Sequence, residues 1–199
     1  MDCASSSPEG VSFVPGGVVQ SVKILVAGHF GAGKTTLVGA VSEIPPLRTE
    51  EPITEASVGV DDLAGLPGKH STTVALDFGR RTFESVALYL FGTPGQQRFA
   101  RVWDDLARGA LGALVLVDTR RLDASDKILS AIEERGLPYA VAVNQFDGAP
   151  RHRLEEVREA LDLAPATPLV ICDARDTASC VHALITLVTH LSQQPGALQ

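Results

Sequence analysis

Tryptophan and methionine each occur once in these 199 residues, tyrosine twice and cysteine three times, and no apolar run approaches the ~18 residues a membrane-spanning helix needs. Each shortage excludes something. Cys3, Cys172 and Cys180 are odd in number and lack metal-ligand spacing, so they suit neither a disulfide framework nor a zinc site. They read as reduced thiols of a cytoplasmic protein. The histidines, His29, His70, His152, His182 and His190, show no ligand spacing with one another and carry no assigned chemistry. Positive charge is also short: 17 Lys and Arg stand against 24 Asp and Glu, a net charge of −7, which argues against a dedicated nucleic-acid surface. The first residues have no basic segment followed by an apolar core, so no signal peptide is expected. Asp2 after Met1 excludes myristoylation, and Gly196-Ala197-Leu198-Gln199 carries no prenylation cysteine. Membrane contact is therefore expected only indirectly, at the inner face and through partners. What is plentiful is ordinary apolar content, 45% of the chain, enough for one domain with a sizeable core.

Residues 1–20 are rich in Ser, Gly and Pro and are expected to form a disordered tail, as are residues 194–199; a single domain spans 21–193. Within it, short apolar runs alternate with helical patterns. Strands are expected at 22–27, 73–78, 86–91, 113–117, 139–143 and 169–171, and helices after residue 36 and at 97–108, 124–135, 154–161 and 179–191. Gly79-Arg80-Arg81-Thr82 reads as the turn of a hairpin joining the second and third strands. Between residues 44 and 71 lies a long irregular segment with Pro45, Pro46, Pro52 and Pro67 and five acids; loops of this length in a compact domain are usually functional. The fold class is α/β: a mostly parallel six-stranded sheet with one antiparallel edge strand and helices on both faces.

The strongest motif is Gly28-His29-Phe30-Gly31-Ala32-Gly33-Lys34-Thr35, a full match to G-x-x-x-x-G-K-[ST] between a strand and a helix. Its glycines let backbone N–H groups of Gly31, Ala32, Gly33, Lys34, Thr35 and Thr36 close around phosphate oxygens at a helix N-terminus. Lys34 supplies a charge for the β- and γ-phosphates, and the Thr35 hydroxyl a ligand for Mg²⁺. Three further segments follow strand ends, where ligands of such sheets bind: Gly92-Thr93-Pro94-Gly95-Gln96-Gln97, Asn144-Gln145-Phe146-Asp147 and Cys172-Asp173-Ala174-Arg175. Asp147 can accept from N1–H and the 2-amino group of guanine, two donors that adenine lacks, for a discrimination on the order of 10⁴. Phe99, Val102, Trp103 and Leu106 recur at helical spacing, either as a core stripe or as part of a partner surface.

On these four segments the chain resembles a Ras-like small G protein, with the P-loop NTPase G-domain fold. Within that group it is similar to bacterial gliding-motility and polarity G proteins and to the conservon G proteins of actinobacteria, which occur with a histidine-kinase-like sensor and a roadblock-family protein. The likeness covers residues 21–191 and is carried most specifically by 72–79, 88–99 and 116–121. It implies a slow, Mg²⁺-dependent GTPase cycling between GTP and GDP, with a roadblock-family regulator and a sensor-kinase-like complex as partners. It also implies roles: Thr73, or alternatively Thr72, as a second Mg²⁺ ligand; the Gly95 N–H on the γ-phosphate; Gln96, with Lys34, as the catalytic pair; Asn144 and Asp147 on the base; and the Ala174 N–H on guanine O6. Arg98 and Arg101 are the candidates for an internal arginine finger. Three positions depart from the family pattern: Gln145 replaces a lysine, Gly92 an aspartate that supports Mg²⁺, and Phe30 a residue that is commonly glycine. A nucleotide-bound adaptor with negligible hydrolysis and an ATPase of the same fold are the competing readings.

Overall fold

A computed structural model describes residues 17–47, 51–52, 71–72, 77–94 and 100–194. Six strands, β1 (Gln20–Ala27), β2 (Asp77–Phe83), β3 (Val86–Gly92), β4 (Ala110–Asp118), β5 (Tyr139–Asn144) and β6 (Leu169–Cys172), form one sheet in the order β2-β3-β1-β4-β5-β6. Every neighbouring pair is parallel except β2 with β3. The helices are α1 (Lys34–Val41), α2 (Ala100–Ala107), α3 (Asp126–Glu133), α4 (Leu154–Ala160) and α5 (Thr177–Ser192). Among the described residues no helix is long and apolar enough to cross a membrane.

The continuous apolar strands are explained by burial on both faces. Ile24, Leu25, Val26 and Ala27 of β1 are all fully buried, and the pleat sends alternate residues to opposite sides. Ile24 and Val26 join Leu37, Val38 and Val41 of α1 and Leu184, Leu187 and Leu191 of α5 in one core. Leu25 and Ala27 join a second core with Trp103 and Leu106 of α2, Ile128, Leu129 and Ile132 of α3, and Val157 of α4. Trp103 and Leu106 therefore belong to the core part of their helical stripe. Each such side chain contributes about 1.5–3 kcal/mol by leaving water. With β1 sandwiched between β3 and β4, the loops leaving β1, β3, β5 and β6 share one edge of the sheet.

The hairpin corrects the sequence reading. Residues 79–82 are not a turn but the middle of β2, and the chain reverses at Glu84 and Ser85, where Glu84 takes φ 49°. The Gly and Arg signals had a tertiary purpose. A Cβ on Gly79 would lie 2.8 Å from Val38 Cγ1, so glycine lets α1 pack onto this strand. Arg80 is anchored by Glu43, Nε to Oε1 at 3.0 Å. The long segment also contains order that periodicity did not suggest: Glu51–Pro52 pairs antiparallel with Ser71–Thr72, and Leu47 bridges Phe78. β1 begins at Gln20, inside the expected tail, with the Val19 N–H bonded to Ser85 O at 2.8 Å. Helix α5 starts two residues early because Asp176 caps it, accepting from the Ser179 N–H at 3.0 Å. In place of one helix over 124–135, a 3-10 turn at Leu122–Ser125 leads into α3 at Asp126–Glu133, and Gly136 has φ 61°.

Candidate functional site

The phosphate loop follows β1 and ends at α1. Gly33, with φ 105°, sits against the Asn144 side chain so closely that a Cβ would collide with its Nδ2. No other residue combines that backbone angle with that clearance. Lys34 is buried, and its Nζ donates to Gly28 O (2.8 Å) and His29 O (2.9 Å), folding the ammonium over the loop. No acidic residue of α1 itself stands in its first turn, so the carboxylate nearest that helix end comes from another element.

Asn144, at the end of β5, joins two parts of the site. Its Nδ2 donates to Ala32 O at 2.8 Å, and its Oδ1 accepts the Ala174 N–H at 3.0 Å. A single amide thereby locks the loop after β6 to the phosphate loop. The Ala174 N–H is committed to Asn144, so the contact with guanine O6 that the resemblance implies requires that bond to be shared or exchanged. Its neighbours are committed too: the Asp173 N–H to Ser179 Oγ and the Arg175 N–H to Asp173 Oδ1, each at 2.9 Å.

Asp147 is exposed, and both its oxygens are taken by one guanidinium: Arg175 Nη1 to Oδ2 at 2.8 Å and Nη2 to Oδ1 at 3.2 Å. Nη2 also reaches Asp173 Oδ2 at 2.8 Å. These hydrogen bonds hold the Asp147 carboxyl below its ordinary range and bring Asp173 down to about 2. Gln145, Phe146, Asp147, Asp173 and Arg175 line a common cleft. Behind it, the guanidinium of Arg120 lies 3.8 Å from the Phe146 ring centroid while its Nη2 bonds buried Asp118 Oδ2 at 2.7 Å. Burial works against the Asp118 charge, and the Arg120 hydrogen bonds outweigh it, so its carboxyl also sits below the usual range. Buried, free Cys172 and Cys180 pack beneath the same loop with their sulfurs 4.0 Å apart.

A residue that the sequence reading missed completes the phosphate end. The Thr35 hydroxyl donates to Asp77 Oδ2 at 2.6 Å. Asp77 is 3% exposed, and its Oδ1 has no hydrogen-bond partner among the described residues. Oxygen donors with an unsatisfied buried carboxylate fit a hard divalent cation such as Mg²⁺. The available signal was an acid inside the strand expected at 73–78, but nothing in its spacing set it apart from a solvated acid. Thr73, Gly95, Gln96 and Arg98 lie outside the described residues, as does the side chain of Arg101. The Trp103 indole donates to Pro94 O at 3.2 Å, tying α2 to the chain leaving β3.

Comparison with known proteins bears on this geometry. The chain is 23% identical over 190 residues to the GTP-binding protein ypt1 of Schizosaccharomyces pombe, covering 87% of this chain and 81% of that one. It is 26% identical over 190 residues to the Ras-related protein Rab-18-B of Danio rerio, covering 90% and 83%. An uncharacterized protein of Methanocaldococcus jannaschii is 27% identical over 128 residues, 63% of this chain and 71% of that protein. Among solved structures, the Arl6 BBS3 small GTPase from Trypanosoma brucei superposes with a TM-score of 0.63 at 19% identity, covering 87% and 99% of the two chains. The G domain of the T. maritima FeoB iron transporter gives 0.59 at 20% identity, covering 85% and 98%. The architecture is thus that of a small-GTPase G domain. A family model matches residues 26–194, and the chain belongs to that family, described as conserved hypothetical ATP binding proteins.

Proposed function

We propose that the protein binds GTP and GDP with Mg²⁺ and hydrolyses GTP slowly, as a molecular switch in a bacterial signalling complex with a roadblock-family regulator and a sensor-kinase-like partner. The observation that carries the nucleotide reading is the Asn144 bridge, which ties the phosphate loop through Ala32 to the base loop through Ala174. Guanine rather than adenine follows from Asp147. Its two oxygens accept two parallel N–H donors from Arg175, and guanine offers the same donor pair through N1–H and its 2-amino group. Adenine presents an unprotonated N1 there and would leave the carboxylate unpaired. Chromatography of the nucleotide released from purified protein, with affinities for GDP and ADP, tests this. Guanine nucleotide is expected; ADP bound as tightly as GDP overturns it in favour of an ATPase.

In the proposed cycle, Lys34 exchanges its loop carbonyls for the β/γ-phosphates, Thr35 faces the cation, and Gln96 orients the attacking water. Bound Mg²⁺ would supply charge neutralisation at the phosphates. By the resemblance, a side chain at position 30, where glycine is common, leaves less room for a catalytic glutamine, so unassisted turnover is expected on the order of 10⁻⁴ to 10⁻² s⁻¹, with a partner accelerating it. Single-turnover assays with and without a roadblock-type protein check this, and Gln96→Leu should abolish the stimulated part. Because Trp103 holds Pro94, its emission should differ between the GDP state and a non-hydrolysable GTP-analogue state. Identical spectra together with no measurable turnover would favour a static nucleotide-bound adaptor.

A further inference from the structure

The register of β4 with β5 places Asp118 beside Asn144, the last residues of the two strands. Two residues beyond each, the chains meet again: the Arg120 guanidinium lies 3.8 Å from the centre of the Phe146 ring. A second link runs from the Thr119 hydroxyl to Pro150 O at 2.8 Å. The chain leaving β4 thus grips the loop after β5 on both sides of Asp147. Between those grips the loop closes on itself, the Ala149 N–H bonding Phe146 O at 3.1 Å.

Arg120 is itself fixed. The Asp118 side chain is 1% exposed, and a buried charge is costly unless it is paired and hydrogen-bonded. Arg120 supplies that pairing. Its Nε donates to Oδ1 at 2.9 Å and Oδ2 at 3.1 Å, its Nη2 to Oδ2 at 2.7 Å, and its backbone N–H to Oδ1 at 2.9 Å. A guanidinium held along one edge keeps a constant plane and leaves a flat face for an aromatic ring. Asp147 has no such hold. Its carboxylate is exposed and paired with Arg175, which a base reading the same oxygens must displace. We propose that Arg120 is a positioning residue for base recognition: braced on buried Asp118, it holds Phe146 and so keeps the adjacent Asp147 carboxylate in place when Arg175 lets go. It acts through Phe146 rather than on the base. The assignment rests on the proposed guanine reading of Asp147.

The test compares affinities of the full chain for GDP and inosine diphosphate, which lacks only the 2-amino group. Their ratio reports how well Asp147 meets its second donor; a general loss of stability would weaken both ligands and leave the ratio unchanged. The parent should prefer GDP by about 10- to 100-fold, the worth of a hydrogen bond to a charged group. Arg120→Ala and Phe146→Leu should each cut that preference about three- to ten-fold, the range of a cation–π contact. Combined, they should lose no more than the larger single loss, because the two residues act as one unit. Phe146→Tyr keeps the ring and should keep the preference. An undiminished preference in Arg120→Ala or in Phe146→Leu overturns the proposal, as does a combined variant whose loss is the product of the two. Where Arg120→Ala does not fold because Asp118 is left charged and unpaired, Asp118→Asn with Arg120→Ala removes that charge and carries the same expectation. A parent that binds ADP or inosine diphosphate as tightly as GDP takes the guanine reading down and this one with it. A parent that prefers GDP, with variants that keep its preference, sinks this one alone.

Discussion

The two ends of the site are held by opposite means. At the phosphate end the polar groups are inside the protein: Lys34 is 9% exposed, and Asp77 and Asn144 each 3%. Lys34 and Asn144 are fastened to backbone carbonyls of the loop itself. At the base end, the Asp147 and Arg175 side chains are 87% and 54% exposed, and their contact is an ion pair in water. Such pairs contribute little because solvent and salt screen them, whereas buried polar contacts are costly to break. The phosphate end is therefore built in advance by packing, while on the proposed guanine reading the base end is an exchangeable latch, with Arg175 on the Asp147 oxygens.

The largest expected effect breaks the base end. Asp147→Asn replaces one acceptor oxygen by a donor, which suits the 2-oxo group of xanthine. The preference for GTP over xanthosine triphosphate should shift by a factor on the order of 10⁴, read by competition binding. Because the side chain is exposed, the melting temperature should hardly move. An unaltered preference removes Asp147 from the base reading.

Lys34→Ala should weaken triphosphate binding by about 100-fold, the value of a charge-assisted contact of about 3 kcal/mol. Here binding and stability should fall together, since the Gly28 and His29 carbonyls lose their donor. Calorimetric melting beside Lys34→Ala binding data checks that coupling. A variant that loses nucleotide with an unchanged melting curve would erase the contrast between the two ends.

Arg175→Ala sharpens the contrast from the other side. Removing the latch should speed GDP association by about two- to five-fold, the rate equivalent of an exposed ion pair, with the gain fading at high salt. Slower association at every salt concentration would instead make Arg175 a ligand contact.

The smallest effect concerns His29 in the phosphate loop. It is buried, and its Nε2 has no partner among the described residues. Burial lowers its pKa, as do the charges of Lys34 and Arg121, against the opposing Phe30 carbonyl and Asp118. The unfolded chain therefore binds a proton that the native loop refuses. This contribution is complete above the ordinary histidine value of about 6.5 and is lost as pH falls from there toward the lowered native value, with a slope below ~1.4 kcal/mol per pH unit. Denaturant titrations at pH 7 and pH 5.5 should show the difference, and His29→Gln should flatten it.

Much of the site was legible because its codes are local. The phosphate loop is eight consecutive residues whose glycines permit one backbone path, and the Asn144 and Asp147 segment follows an apolar run that could only be a buried strand. The misreadings had a common cause. Gly79-Arg80-Arg81-Thr82 carries turn residues, yet Gly79 is there for the approach of Val38 and Arg80 for Glu43, and neither partner is near in sequence. The early start of α5 is the exception, set locally by the Asp176 cap on the Ser179 N–H.

By itself the sequence determined the alternation of strands and helices, the anion cradle and the edge on which its ligand must sit, since periodicity and glycine placement act within a few residues. Only the tertiary structure decided how the parts are fastened: Thr35 to Asp77 across 42 residues, Ala32 to Asn144 across 112, Asp147 to Arg175 across 28. Those partners meet because strand order and register bring them together. Asp77 stands opposite Gly92 through the hydrogen bonding of β2 with β3, a pairing written in no motif.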